Sequence, residues 1–95
     1  MAAWMTTADI GRRVRRYRQE QHLSQELLAR LAYQAGIPHA GDSWTFSVRW
    51  IKRLEQGQVQ AISWRKLYAV AAALHVSLGA LVLPDDDTEP AVPTP

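Results

Sequence analysis

Apolar side chains return along this 95-residue chain mostly at steps of three and four, the spacing that gathers them on one face of an α-helix. Ile10, Val14 and Tyr17 form the first such stripe. Thr6-Thr7-Ala8-Asp9 precedes it and reads as a capping-box variant, a hydroxyl followed three residues later by a carboxylate. The pattern predicts a helix over about 7–21. Ser24 offers an N-cap hydroxyl to a second helix, whose stripe is Leu28, Leu31, Ala32 and Ala35. Gly36 reads as its left-handed stop and Pro38 as a bar to continuation. Residues 36–46, rich in turn formers, then read as a loop. Trp44 and Phe46 lie in that loop and are expected to pin it to the body.

Ser47 is the next N-cap, Ile51 and Leu54 are the buried stripe of a short third helix, and Gly57 stops it. Ser63 caps a fourth helix with Trp64, Leu67, Val70, Ala71 and Leu74 facing inward. Ser77 caps a short fifth with Leu81 and Val82 buried. No alternation of period two appears, so the expected fold is all-α, a compact bundle of four to five short helices. Helices this short are not stable alone and must bury their stripes against one another. Residues 1–5 have no period and are expected to fray. Residues 84–95, rich in proline and acid, read as a disordered tail or linker, which leaves 6–83 as the domain.

Composition narrows the partners. With 47% hydrophobic and 21% charged residues the chain is globular in type. No apolar run approaches the roughly 18 residues of a membrane span, and the first residues lack the basic start and long apolar stretch of a secretory signal. There are no cysteines, which removes disulfide, zinc-finger and thiol chemistry together and suits a reducing cytoplasm. All 11 Lys and Arg lie between Arg12 and Lys66, while Asp85, Asp86, Asp87 and Glu89 sit in the tail. The body to Leu83 therefore sets 11 basic residues against five acidic, a net of +6 that points to a polyanionic partner.

Catalysis finds little support. His22, His39 and His75 are scattered, and none has a second metal ligand at helical spacing. His39 and Asp42 share a loop without a nucleophile, and no glycine-rich phosphate loop is present. His75 stands where a helix C-terminal glycine is expected, which is a sufficient structural role. No enzyme, cofactor or metal is expected.

The third helix carries the chemistry. With Ile51 and Leu54 inward, Val48, Arg49, Trp50, Lys52 and Arg53 are left on its remaining surface. A helix fits the B-DNA major groove, and an arginine there donates two parallel hydrogen bonds to guanine O6 and N7. Val48 suits a thymine methyl. Trp50 either packs on sugar–phosphate or folds back against the loop aromatics. Gln25 and the first amides of helix 2 form a donor cluster suited to a phosphate oxygen. Arg12, Arg13, Arg15 and Arg16 on helix 1 are either a solvated basic face or near phosphates, with Arg13 and Arg16 as the backbone contacts.

Ile10-Gly11-Arg12, Tyr17-Arg18, Leu23-Ser24-Gln25-Glu26 and Leu28-Ala29 together resemble the first half of the phage repressor/Cro-type helix-turn-helix family. Ile51-Lys52-Arg53-Leu54-Glu55-Gln56-Gly57 resembles its recognition-helix ending. Ile62-Ser63-Trp64, Leu67, Val70-Ala71 and Leu74-His75-Val76-Ser77-Leu78 resemble its closing helices. The resemblance implies a recognition helix over about 47–55 and base contacts from Ser47, Val48, Arg49 and Arg53. It implies backbone contacts from Gln25, Lys52, Gln56 and Gln58, and an ion pair between Arg18 and Glu55 joining the first and third helices. Such proteins commonly read palindromic half-sites as two-fold dimers.

The connection over 36–46 is longer than the family's turn. It is reminiscent of POU-specific domains, which also enter this helix through a pair like Phe46-Ser47. It offers a surface to the DNA backbone or to a protein partner. The expected function is a cytoplasmic, nucleoid-associated regulator of transcription that binds double-stranded DNA by sequence. The alternative is a protein-interaction module, antitoxin-like or scaffolding, that kept the fold and docks through Trp44, Phe46 and Trp50.

Overall fold

Five hydroxyl side chains start five helices. In this computed structural model, which describes residues 6–40 and 45–83, the order is α1 (Thr7–Glu20), α2 (Gln25–Ala40), α3 (Val48–Glu55), α4 (Trp64–Ala73) and α5 (Leu78–Val82). No strand occurs among the described residues. Thr6 Oγ1 accepts from the Asp9 amide at 3.1 Å while the Asp9 carboxylate accepts from the Thr6 amide at 3.2 Å. Those hydrogen bonds, with the nearby Arg12 and Arg13 charges, hold the Asp9 carboxyl below its usual value. Ser24, Ser47, Ser63 and Ser77 each accept an amide three residues on. Each cap satisfies an amide that has no partner inside its helix.

Helix ends are equally local. At α1, α3 and α4 the two amides beyond the last turn reach back to that turn's carbonyls, with one left-handed residue between. Gly57 fills that position after α3 with φ 75°, but His22 and His75 fill it after α1 and α4 at φ 58° and 59°. An L side chain in this region is strained by about 1–2 kcal/mol, partly offset by the chain entropy that glycine loses on folding. Both histidines are exposed. His22→Gly and His75→Gly are each expected to stabilise by about 0.5–1 kcal/mol, a rise in Tm of a few degrees for a domain of this size. A thermal melt at or below the parent's for both variants would contradict the strain argument.

The core joins all five elements. Ile10 and Val14 of α1, Leu28 and Ala32 of α2, Ile51 and Leu54 of α3, Leu67, Val70, Ala71 and Leu74 of α4, and Leu81 of α5 are buried together. α2 packs chiefly on α4, α1 on α3, and α5 closes against α4 and α1. The end of α1 is also tied to the end of α4, because Gln21 Nε2 donates to the Leu74 carbonyl at 2.7 Å.

Three expectations need correction. α2 does not stop at Gly36 but continues through Pro38 to Ala40. Leu28, Ala32 and Gly36 are all buried at four-residue spacing. The glycine thus extends the stripe facing the bundle, and tertiary packing overrides its breaking tendency. The connection to α3 is correspondingly shorter than 36–46. Within it, positions 41–44, Trp44 included, lie outside the described residues, as do 1–5 and 84–95. Trp64 does not face inward but is 65% exposed. It is the first residue of α4, one turn before Leu67, where the buried stripe has already ended. Arg13, third, is buried on α1 instead of lying on its solvated face.

Candidate nucleic-acid interface

α3 is held by its apolar residues and presents its cations. Ile51 and Leu54 are fully buried, and Phe46 meets Trp50 edge-on with ring centroids 5.2 Å apart. Of the two roles open to Trp50, the packed one is seen: the ring is half-buried against the core. Lys66 Nζ lies 5.3 Å from its centroid. Ser47, Arg49, Lys52 and Arg53 are exposed, and so are Gln56 and Gln58 just past the helix. Val48 is half-buried and packs against the core, so only part of it is available outward.

The acid of this helix is withdrawn from that face. Glu55 is buried, with 4% of its side chain exposed, and it pairs with Arg18, at 13%. Arg18 Nε donates to Glu55 Oε2 at 2.7 Å and Nη2 to Oε1 at 2.9 Å, a bidentate pair. Gln25 Nε2 donates to Oε1 at 3.0 Å, and Arg18 Nη1 to the Leu23 carbonyl at 2.9 Å. Hydrogen bonding to the carboxylate raises the Arg18 pKa further above its already high value, against the opposing effect of burial. One carboxylate therefore joins α1, the entry to α2 and α3. This network fixes how α3 leans on its neighbours and leaves a basic outer surface.

Gln25 sits at the first residue of α2 with one amide proton directed at Glu55. Its side-chain nitrogen carries two. Arg16 is exposed, and its guanidinium lies over the Tyr17 ring at 5.3 Å.

Arg13 is a correction to the expected set of backbone contacts. It is 8% exposed, and its Nη1 donates to the Ala80 carbonyl at 3.1 Å and to the Leu83 carbonyl. Its charge sits against the C-terminal carbonyls of α5, where a cation is favoured. Arg13 is a fastener between α1 and α5.

Two features escaped sequence reasoning. Arg65 and Lys66 stand in the first turn of α4, where the helix dipole disfavours cations, and that misplacement was the available signal. Gly11 is the other. A Cβ at this position would lie 1.9 Å from the Leu54 carbonyl oxygen, so α1 and α3 touch backbone to backbone there. A glycine inside a helical pattern was the trace of it.

Among the described residues no group of three His, Cys, Asp or Glu could hold a metal ion, and no helix is long and apolar enough to cross a membrane.

A family model described as a helix-turn-helix domain matches residues 9–83. No curated protein matches the chain in sequence. Among solved structures it is similar to the restriction-modification controller protein C.AhdI from Aeromonas hydrophila. Identity there is 25%, over 79% of this chain and 94% of that one, with a TM-score of 0.63. The clp gene regulator ClgR from Corynebacterium glutamicum superposes with a TM-score of 0.64 at 19% identity, covering 81% of this chain and 68% of that one. A SinR protein/SinI protein complex gives 0.65 at 24% identity, with 86% and 68% covered. These last two likenesses carry the fold.

Proposed function

The chain belongs to the helix-turn-helix family of DNA-binding regulators, and from that premise we propose that it reads duplex DNA by sequence, with α3 in the major groove. Support comes chiefly from one observation. α3 exposes Ser47, Arg49, Lys52 and Arg53 while its only acid is buried between Arg18 and Gln25. Arg49 and Arg53 meet guanine edges, and Ser47 with the outward part of Val48 borders the groove floor. Lys52, Gln56, Gln58 and Arg16 hold phosphates, and Gln25 uses its second amide proton in the same way. Two copies on a palindrome give the two-fold geometry usual for such readers. The mechanism is occupancy: the bound protein blocks or recruits polymerase in the cytoplasm, at the nucleoid.

Selection of duplexes from a random pool, at two salt concentrations, tests this reading. A defined sequence is expected to emerge, with affinity falling steeply as salt rises. Arg49→Ala and Arg53→Ala should each cost about 1–3 kcal/mol of binding and relax preference at one base position, whereas Lys52→Ala should weaken all sequences alike. Arginine variants that bind selected and scrambled duplexes as the parent does would remove the base-reading role.

The alternative, a protein-interaction module, cannot use the expected aromatic surface as it stands, because Phe46 and Trp50 are half-buried against each other and the core; the exposed apolar residues lie elsewhere. Trp64, Tyr68 and Ile37 are 65%, 58% and 51% exposed. A salt-insensitive partner captured without any duplex binding is the result that reading requires.

A further inference from the structure

The outward polar groups of α3 share one hydrogen-bonding character. Arginine and lysine side chains donate and cannot accept, and Arg49, Lys52 and Arg53 are all exposed. None of these three has a hydrogen-bond or ion-pair partner among the described residues. Ser47 is the N-cap, and its hydroxyl already accepts from the Trp50 amide at 3.3 Å. One of its lone pairs is thereby committed, and its proton is left to donate outward. From Ser47 to Leu83 the chain has a single acid, Glu55. Both of its oxygens accept from Arg18, and Oε1 accepts from Gln25 as well. Of the acids on the two helices packed against α3, Asp9 caps α1 and pairs with Arg12, Glu20 ends α1, and the charge of Glu26 acts on Arg18. Burial of Glu55 therefore does more than seat the helix, because it takes the one strong acceptor away from the reading face.

We propose that α3 recognises acceptor edges, guanine N7 and O6 and thymine O4, and rejects any base that turns an amino group toward it. This rests on the reading above that α3 enters the major groove, and it adds the class of base admitted at the contacted positions. Adenine N6 and cytosine N4 both carry amino protons into that groove. Opposite a side chain that only donates, such a proton meets no acceptor, and both groups lose water without gaining a partner. The wrong base is excluded by an unfavourable contact, a stronger discrimination than the absence of a favourable one. Thymine suits the neighbourhood of Val48 on two counts, its methyl group and its O4 acceptor.

Base analogues in the full chain's selected duplex test this. Loss of preference in Arg49→Ala and Arg53→Ala, each first shown to melt as the parent does, marks the contacted positions, and guanine is expected at both. Replacing such a guanine by 7-deazaguanine, which lacks the N7 acceptor, should weaken binding roughly tenfold. Inosine, whose major-groove edge is that of guanosine, should bind as the parent base does. Unchanged affinity with 7-deazaguanine overturns the proposal. Exclusion is read from two bases that pair with thymine, 2-aminopurine and 2,6-diaminopurine, which share a minor-groove edge and differ by the amino group in the major groove. At a marked position the diamino base should bind roughly threefold to tenfold more weakly, and equal affinity overturns the exclusion. Arg49→Gln places an acceptor on the face and should move the selected base at its position from guanine to adenine. Retention of guanine there counts against the proposal. Adenine or cytosine at the marked positions of the parent also overturns it, while leaving the function proposed above in place. A parent that binds every duplex alike removes that function as well.

Discussion

Replacing Gly11 by alanine should be among the most damaging single-methyl changes this protein can suffer. The added carbon would sit 1.9 Å from the Leu54 carbonyl oxygen and 2.8 Å from its carbonyl carbon, with the Glu55 Cα at 3.3 Å. These are backbone atoms inside a helix, so no rotamer change relieves the clash. α1 and α3 must move apart, which opens the packing of Val14, Ile51 and Leu54, all fully buried, and stretches the bidentate pair between Arg18 and Glu55. Overpacking a core ordinarily costs about 1–3 kcal/mol and occasionally more. A rigid backbone on both sides puts this case at about 3 kcal/mol or above, even after the gain of roughly 1 kcal/mol that alanine brings to a helix over glycine. For a domain of this size the expected fall in Tm exceeds about 10 °C. Gly79→Ala is the matched control. Its Cβ would meet side-chain atoms alone, Leu83 Cδ1 at 3.1 Å and Ser77 Oγ at 3.8 Å, so the change should stay within about 1 kcal/mol. Equal melting curves for the two variants would show that the helices are not in the close contact described.

The contrast between these glycines shows which parts of the structure are readable from sequence. Starts and stops of helices are local events. Thr6, Ser24, Ser47, Ser63 and Ser77 announce their caps within three residues, and Gly57 and His75 mark chain reversals that need no distant partner. Accordingly the type of the elements and the outward cations of α3 followed from spacing alone, whereas Val48 and Trp50, also expected outward, are half-buried. What failed depended on neighbours far along the chain. Gly36 looks like a stop until the burial of Leu28, Ala32 and Gly36 on one stripe is known. Arg13 looks like one more surface cation until α5, some seventy residues on, delivers the Ala80 and Leu83 carbonyls to it. The pairing of Arg18 with Glu55 spans 37 positions and was reachable only through the family resemblance.

That pair is where the second large effect is expected. Arg18→Ala strips Glu55 of two of its three donors and leaves a carboxylate with 4% exposure held by Gln25 alone. It also removes the donor to the Leu23 carbonyl. Breaking one side of a buried pair typically costs about 3–5 kcal/mol, because the surviving charge remains desolvated. The expected loss lies near the lower figure, since Arg18 is itself partly exposed. Glu55→Ala should be comparably harmful. Replacing both by apolar residues of similar size, Arg18→Met with Glu55→Leu, should cost clearly less than the two single losses added together. Arg18→Lys should recover only part of the stability, because one ammonium cannot supply the parallel fork and the third bond at once. The arginine contribution has no pH window in the working range. Its pKa is raised, so the stabilisation is complete below the unfolded value and would be lost only in strong alkali. Thermal or urea unfolding of the four variants decides the matter. A double variant as unstable as the sum of its parts would mean that the carboxylate acts through something other than Arg18. In the folded fraction of Arg18→Ala, duplex affinity should fall for every sequence together, because the substitution loosens the seat of α3 and leaves its outward arginines in place.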